Sequence, residues 1–205
     1  MQPQSRFTIY LFTAVVLALT AACSSSGWLV NDVRLHSKAL YLSEISEEAY
    51  YFDKRIVLES IQKELRSGVA DSLAKSAMER VMEVYSRDDR PDVTIAENAE
   101  EADIEFRVEE ISVRRIRTLN VVHPGPVFRI RVHLKGYERG QKVFDQRHTL
   151  DSNLAVMAAE GSRFYIPDDE ERRDEELQRI TVYPTLRSVF GQLWQDILDV
   201  NRQRF

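Results

Sequence analysis

Between Phe128 and Leu134 every second residue is apolar, and Arg129, Arg131 and His133 fill the places between. Successive side chains of a strand point to opposite faces, so this segment demands a sheet with one face in a core and one in water. Ile104, Phe106 and Val108 repeat the pattern against Glu105, Arg107 and Glu109. Ile111, Val113 and Ile116 continue that run, and their changed spacing predicts a bulge or a bend. Glu138-Arg139-Gly140-Gln141 reads as a turn, with Lys142 to Ser152 returning as the hairpin partner. His123-Pro124-Gly125-Pro126 is a loop, Val93 to Ile95 a short strand, and Trp28 to Leu42 a strand-like alternation. Ser43 to Asp53 stays undecided, its Tyr50-Tyr51-Phe52 cluster fitting either a core plug or an exposed contact.

A second periodicity lies around these strands. Ile61 and Leu65 suggest a helix over 55–64, bent near Ser67-Gly68. Val69, Leu73, Ala77, Val81 and Tyr85 then fall four apart, with Met78 and Met82 widening the stripe, and Arg87 to Pro91 ends the helix. Asn153 to Gly161 reads as one short helix and Asp168 to Glu176 as a solvated loop or helix start. Pro184 is expected to open the last helix, whose apolar stripe is Leu186, Val189, Phe190, Leu193, Ile197 and Leu198. The expected class is α+β: an antiparallel sheet of about four to five strands with two main helices on one face, in the order β-α-β-β-β-α.

The amino-terminal segment reads as an address. Arg6 is the only charged residue before an uncharged run from Phe7 to Ala22, and small residues follow its apolar centre. Leu19-Thr20-Ala21-Ala22-Cys23 resembles a lipobox, the processing site of bacterial lipoproteins. That resemblance implies a signal peptide over 1–22, a diacylglycerol and further acylation at Cys23, and a tether over 23–27. Ser24 after the cysteine resembles the pattern of lipoproteins sorted to the outer membrane, and a single periplasmic domain over 28–205 is expected. Cys23 is also the only cysteine, which leaves no internal disulfide. Several acyl chains make a stable anchor where one binds reversibly.

Two further segments carry a family resemblance. Ala102-Asp103-Ile104-Glu105-Phe106-Arg107-Val108 and the hairpin from Arg131-Val132-His133-Leu134-Lys135-Gly136-Tyr137 to Lys142-Val143-Phe144 are similar to the amino-terminal domain of TolB and related envelope accessory lipoproteins. In topology the chain also resembles the lipopolysaccharide-assembly lipoprotein that plugs an outer-membrane barrel. These resemblances imply a binding or scaffold role and supply no catalytic residues.

Little in the chain points to chemistry. His36, His123, His133 and His148 lack the helical spacing of a zinc site, and only His133 and His148 could approach each other, across the hairpin. No nucleophile elbow or phosphate-cradling loop occurs among seven glycines. The acidic runs Glu100-Glu101 and Asp168 to Glu171 read as solvated surface. A net charge of −5 fits nucleic acid poorly. The expectation is a protein that is not an enzyme and carries no metal or cofactor.

Two features suit partner binding. Arg114, Arg115 and Arg117 cluster near a strand end, and Arg129 and Arg131 share the polar sheet face with acidic neighbours. They read either as a cross-strand ion-pair ladder, the favoured reading, or as a basic patch for an acidic partner. Phe164 and Tyr165 lie in an aromatic segment that fits either core or an exposed hot spot. The function expected is a non-catalytic lipoprotein on the periplasmic face of the Gram-negative outer membrane, accessory to an envelope protein complex. The alternatives are a lipid or lipopolysaccharide carrier, which needs an apolar cavity between helices and sheet, and a periplasmic hydrolase, which needs a polar cleft.

Overall fold

The computed structural model describes Leu35 and residues 38–53, 57–86, 93–116, 127–152 and 169–202. The strands are β1 (Ala39–Leu42), β2 (Tyr50–Phe52), β3 (Thr94–Ile95), β4 (Ile104–Ile116), β5 (Val127–Glu138) and β6 (Gln141–Asp151). The helices are α1 (Glu59–Glu64), α2 (Ala70–Ser86) and α3 (Glu170–Arg202). The architecture is α+β, with one sheet in the order β3-β1-β4-β5-β6 and β2 also paired to β4. The three long strands form an antiparallel meander. The short strands β1 and β2 run parallel to β4, so the sheet is mixed and six-stranded where a wholly antiparallel one was expected.

The anticipated bulge falls between Val108 and Glu110. It restores the parity of the strand, so that Ile111 and Val113 reach the core face already occupied by Ile104, Phe106 and Val108. It also divides the free edge of β4. β1 pairs with residues 104–106 on one side of the bulge, and β2 with residues 111–113 on the other. The undecided aromatic cluster is thereby resolved, with Tyr50 buried against Ile111 and Tyr51 turned out beside Ser112.

The turn Glu138 to Gln141 closes β5 onto β6, with Arg139 and Gly140 both at positive φ. At Gly136 the missing side chain has a different purpose. A Cβ there would lie 2.8 Å from the Phe106 ring, which crosses the strand and packs edge-on against Trp194 of α3.

The helices cover the inner face. The expected bend is a π turn over Leu65–Val69, with Gly68 at φ +104°. Tyr183 and Arg179 of α3 both hydrogen-bond Glu64 just before that turn, Arg179 at 2.6 Å. Along α2 the most buried line is Ala70, Ala74, Ala77 and Met78. Ala77 and Met78 belong to the expected stripe, Ala70 and Ala74 lie one position round from it, and its members Leu73 and Val81 flank the line. Small side chains there let the helix approach its neighbours closely.

Pro184 does not open the last helix but lies inside it, and α3 starts at Glu170. A proline in a helix interior removes one backbone bond and costs roughly 3 kcal/mol. Contacts upstream outweigh that. Gln178, Thr181 and Val182 are buried, and the Gln178 side chain accepts a 2.9 Å hydrogen bond from the Leu58 amide at the start of α1. Downstream, Leu186, Val189, Phe190 and Leu193 are buried as their spacing requires.

Candidate functional site

Residues directly opposed across strands share a face, so the register writes out the solvent face row by row. At one end stand Arg114, Arg129 and Asp151, then Tyr51, Ser112, Arg131 and Thr149, then Glu110, His133 and Arg147. At the other end stand Arg107, Lys135 and Asp145, then Tyr41, Glu105, Tyr137 and Lys142.

The second end is electrically balanced. Arg107 forks onto Glu105 at 2.8 and 2.9 Å, and that hydrogen bonding draws the Glu105 carboxyl below its ordinary range. Lys135 reaches Glu109 of the bulge at 3.3 Å. Asp145 takes Lys142 and the buried His133, each at 2.6 Å. Burial pushes the Asp145 carboxyl up, and these two partners outweigh it, leaving its pKa at about 2.

The first end is not balanced. Its three rows hold four arginines and two carboxylates. Arg129 forks onto Asp151 at 2.8 and 2.9 Å, and this hydrogen bonding holds the Asp151 carboxyl below its usual range. The Arg131 Nε reaches only the Thr149 hydroxyl, at 3.4 Å. Among the described residues Arg114, Arg131 and Arg147 have no carboxylate within ion-pair distance. Arg114 moreover stands directly opposite Arg129, and like charges so placed destabilise a sheet. Tyr51, 54% exposed, borders the group. A surface of this kind can hold an anion through guanidinium forks and neighbouring hydroxyls.

Strand alternation separates the cluster expected at the end of β4. Arg114 joins Arg129 and Arg131 on the solvent face, whereas Arg115 is opposite Phe128 and takes the parity of the core face, exposed at the sheet's end. Arg117, Phe164, Tyr165 and Cys23, with the segments 1–22 and 23–27, lie outside the described residues. Arg147 was not singled out in the sequence, and Tyr51 stood there only within the undecided Tyr50-Tyr51-Phe52 cluster. Arg147 alternates with Asp145, Thr149 and Asp151, but only the hairpin register assigns that parity to the solvent face. His133 and His148 do not come together, because His148 is opposite Val132 and so takes the other face. Among the described residues no group of three or more His, Cys, Asp or Glu is placed to hold a metal, and no helix is long and apolar enough to cross a membrane.

No protein-family model and no curated protein sequence matches the chain. Among solved structures it is similar to a PelC dodecamer from Paraburkholderia phytofirmans, at 16% identity over 79% of this chain and 89% of that one, TM-score 0.37. It is similar also to a minor lipoprotein from Acinetobacter baumannii, at 16% identity over 82% and 94%, TM-score 0.37. A Xanthomonas campestris protein of the DUF330 family model is 13% identical over 88% and 91%, TM-score 0.38. At these scores the likenesses assign no function to this chain.

Proposed function

We propose that the chain is a non-catalytic lipoprotein of the Gram-negative outer membrane, anchored through acylated Cys23. On this reading its periplasmic domain is accessory to an envelope complex and engages an anionic component of the envelope. The lipobox Leu19 to Cys23 supports the anchor, and the similarity of Ala102 to Val108 to envelope accessory lipoproteins supports the scaffold role. The observation that carries the binding surface is the unbalanced arginine group, with Arg114 set against Arg129 and with Arg131 and Arg147 lacking carboxylates among the described residues. Departures from local consistency of this kind gather at functional sites.

The carrier alternative is less well supported. Between helices and sheet the described side chains form one continuous core, with Phe106, Phe144 and Trp194 in edge-on contact. A surface cleft of about 660 Å³ is lined by polar side chains such as Glu59, Lys63 and Arg66.

Palmitate labelling and membrane fractionation of Cys23→Ala test the anchor; label or membrane retention equal to the parent would refute it. A photo-crosslinking residue at Tyr51 of the acylated chain tests the surface. It is expected to yield an envelope adduct that the same residue at exposed Glu79 of α2 does not. Equal adducts from both positions would refute the assignment.

A further inference from the structure

We propose that the arginine-rich end of the solvent face docks on phosphate headgroups of the anionic lipids in the leaflet that holds the anchor. The proposal rests on the reading of Cys23 as the anchor and of this face as the binding surface, and it names the anionic component.

Three features favour headgroups over an acidic protein. The first is composition. Protein interfaces concentrate their energy in an apolar, charge-poor centre ringed by polar groups. Here the centre is the exposed Arg131 and Thr149 beside the buried Ser112, with arginines on either side, and among the described residues Tyr51 is the one large exposed ring at the border. An exposed tyrosine beside cations suits the headgroup level of a bilayer, where its ring has apolar surroundings and its hydroxyl stays wet.

The second is shape and donor chemistry. Among the described residues the group lies on a three-strand meander, so its cations are presented across a sheet face. Guanidinium forks match phosphate oxygens in pairs, and Arg131 spends only its Nε, at 3.4 Å, on Thr149.

The third is reach. Eleven residues lie between Cys23 and Leu35, the first described residue, a span of at most roughly 40 Å when fully extended. An anchored domain therefore stays close to the leaflet, where even weak headgroup contacts act at high effective concentration. A lipid anchor combined with a basic patch is a two-signal attachment, each adding to what the other holds. The net acidity of the chain does not cancel this, because charges more than about 8 Å away are largely screened at physiological salt.

The test uses the chain from Ser24 onward without acyl groups, which keeps every described residue. It is sedimented with vesicles of phosphatidylcholine alone or mixed equally with phosphatidylglycerol. Binding is expected only to the mixed vesicles, and added salt should weaken it. The triple variant Arg114→Gln, Arg131→Gln, Arg147→Gln should bind on the order of a hundredfold more weakly, from three cations near an anionic surface. The neutral-pair control Arg107→Gln, Glu105→Gln should bind as the parent does. Unchanged melting of the triple variant excludes misfolding, since all three side chains are exposed. Vesicle binding that survives in the triple variant overturns the proposal. If vesicles fail to bind but fluorescent polyglutamate binds and needs the three arginines, the headgroup proposal falls and the face remains a site for acidic protein. If neither probe binds, the binding-surface reading falls with it.

Discussion

Gly136→Ala isolates the packing of the aromatic centre. The new Cβ would lie 2.8 Å from Cε1 and 3.2 Å from Cδ1 of Phe106, and 3.1 Å from Cβ of Phe144. The Phe106 ring is 1% exposed. It is held edge-on by Trp194 at 5.0 Å and by Phe144 at 5.8 Å between centroids, so it has no open side to retreat into. Overpacking a filled core costs ~1–3 kcal/mol, and a ring hemmed in this way belongs near the top of that range. Alanine returns ~0.4–1 kcal/mol by restricting the unfolded chain, which leaves a net loss of about 2 kcal/mol. In urea, with a slope of about 2 kcal/mol per molar, the unfolding midpoint should fall by about 1 M. Phe106→Leu added to Gly136→Ala should cost less than the two changes separately, because the shorter side chain vacates the contested space. A Gly136→Ala midpoint within about 0.2 M of the parent would show that the Phe106 ring does not lie over Gly136.

Two other predictions concern glycine and pH. Gly191→Ala in α3 meets nothing within 4 Å and should raise stability by ~0.5–1 kcal/mol, whereas Gly68→Ala, at φ +104°, should lower it by ~1–2 kcal/mol in the same thermal melts. An equal shift from both would contradict the different backbone conformations. The Asp145 carboxyl has a folded pKa of about 2 against an ordinary 3.8, so the stability it contributes is present above that ordinary value and is lost as pH falls toward 2. The advantage of the parent over Asp145→Asn in urea should therefore shrink across that window, and a constant gap would show that Lys142 and His133 do not hold the charge.

The long strands and the bend were legible because each has a strong local signal. Val108 and Ile111 break parity on one strand, and Ser67-Gly68 interrupts a helical stripe. Strands β1 and β2 were harder, since four and three residues carry almost no periodicity and their partner lies far along the chain in β4. Pro184 misled for a different reason. Local propensity ends a helix there, and only the distant contacts of Gln178 and Arg179 with Leu58 and Glu64 keep it going. The binding surface was half legible. Arg114, Arg129 and Arg131 lie on alternating strands, but adjacency in sequence drew in Arg115, and the place of Arg147 needed the register of β5 against β6.

The divided edge of β4 has a consequence for how the molecule acquires its shape. The meander β4-β5-β6 closes through neighbouring stretches of chain, while β2 adds to an edge that β4 supplies and β1 to that edge and to the two-residue β3. Synthesis proceeds from the amino terminus, so β1 and β2 emerge well before the strand that templates them. Pairings of long sequence separation form slowly, because loop closure must precede any gain from contact. The amino-terminal strands are therefore late arrivals. Substitutions confined to them, such as at Leu40 or Leu42, should chiefly speed unfolding and leave the rate of refolding nearly intact.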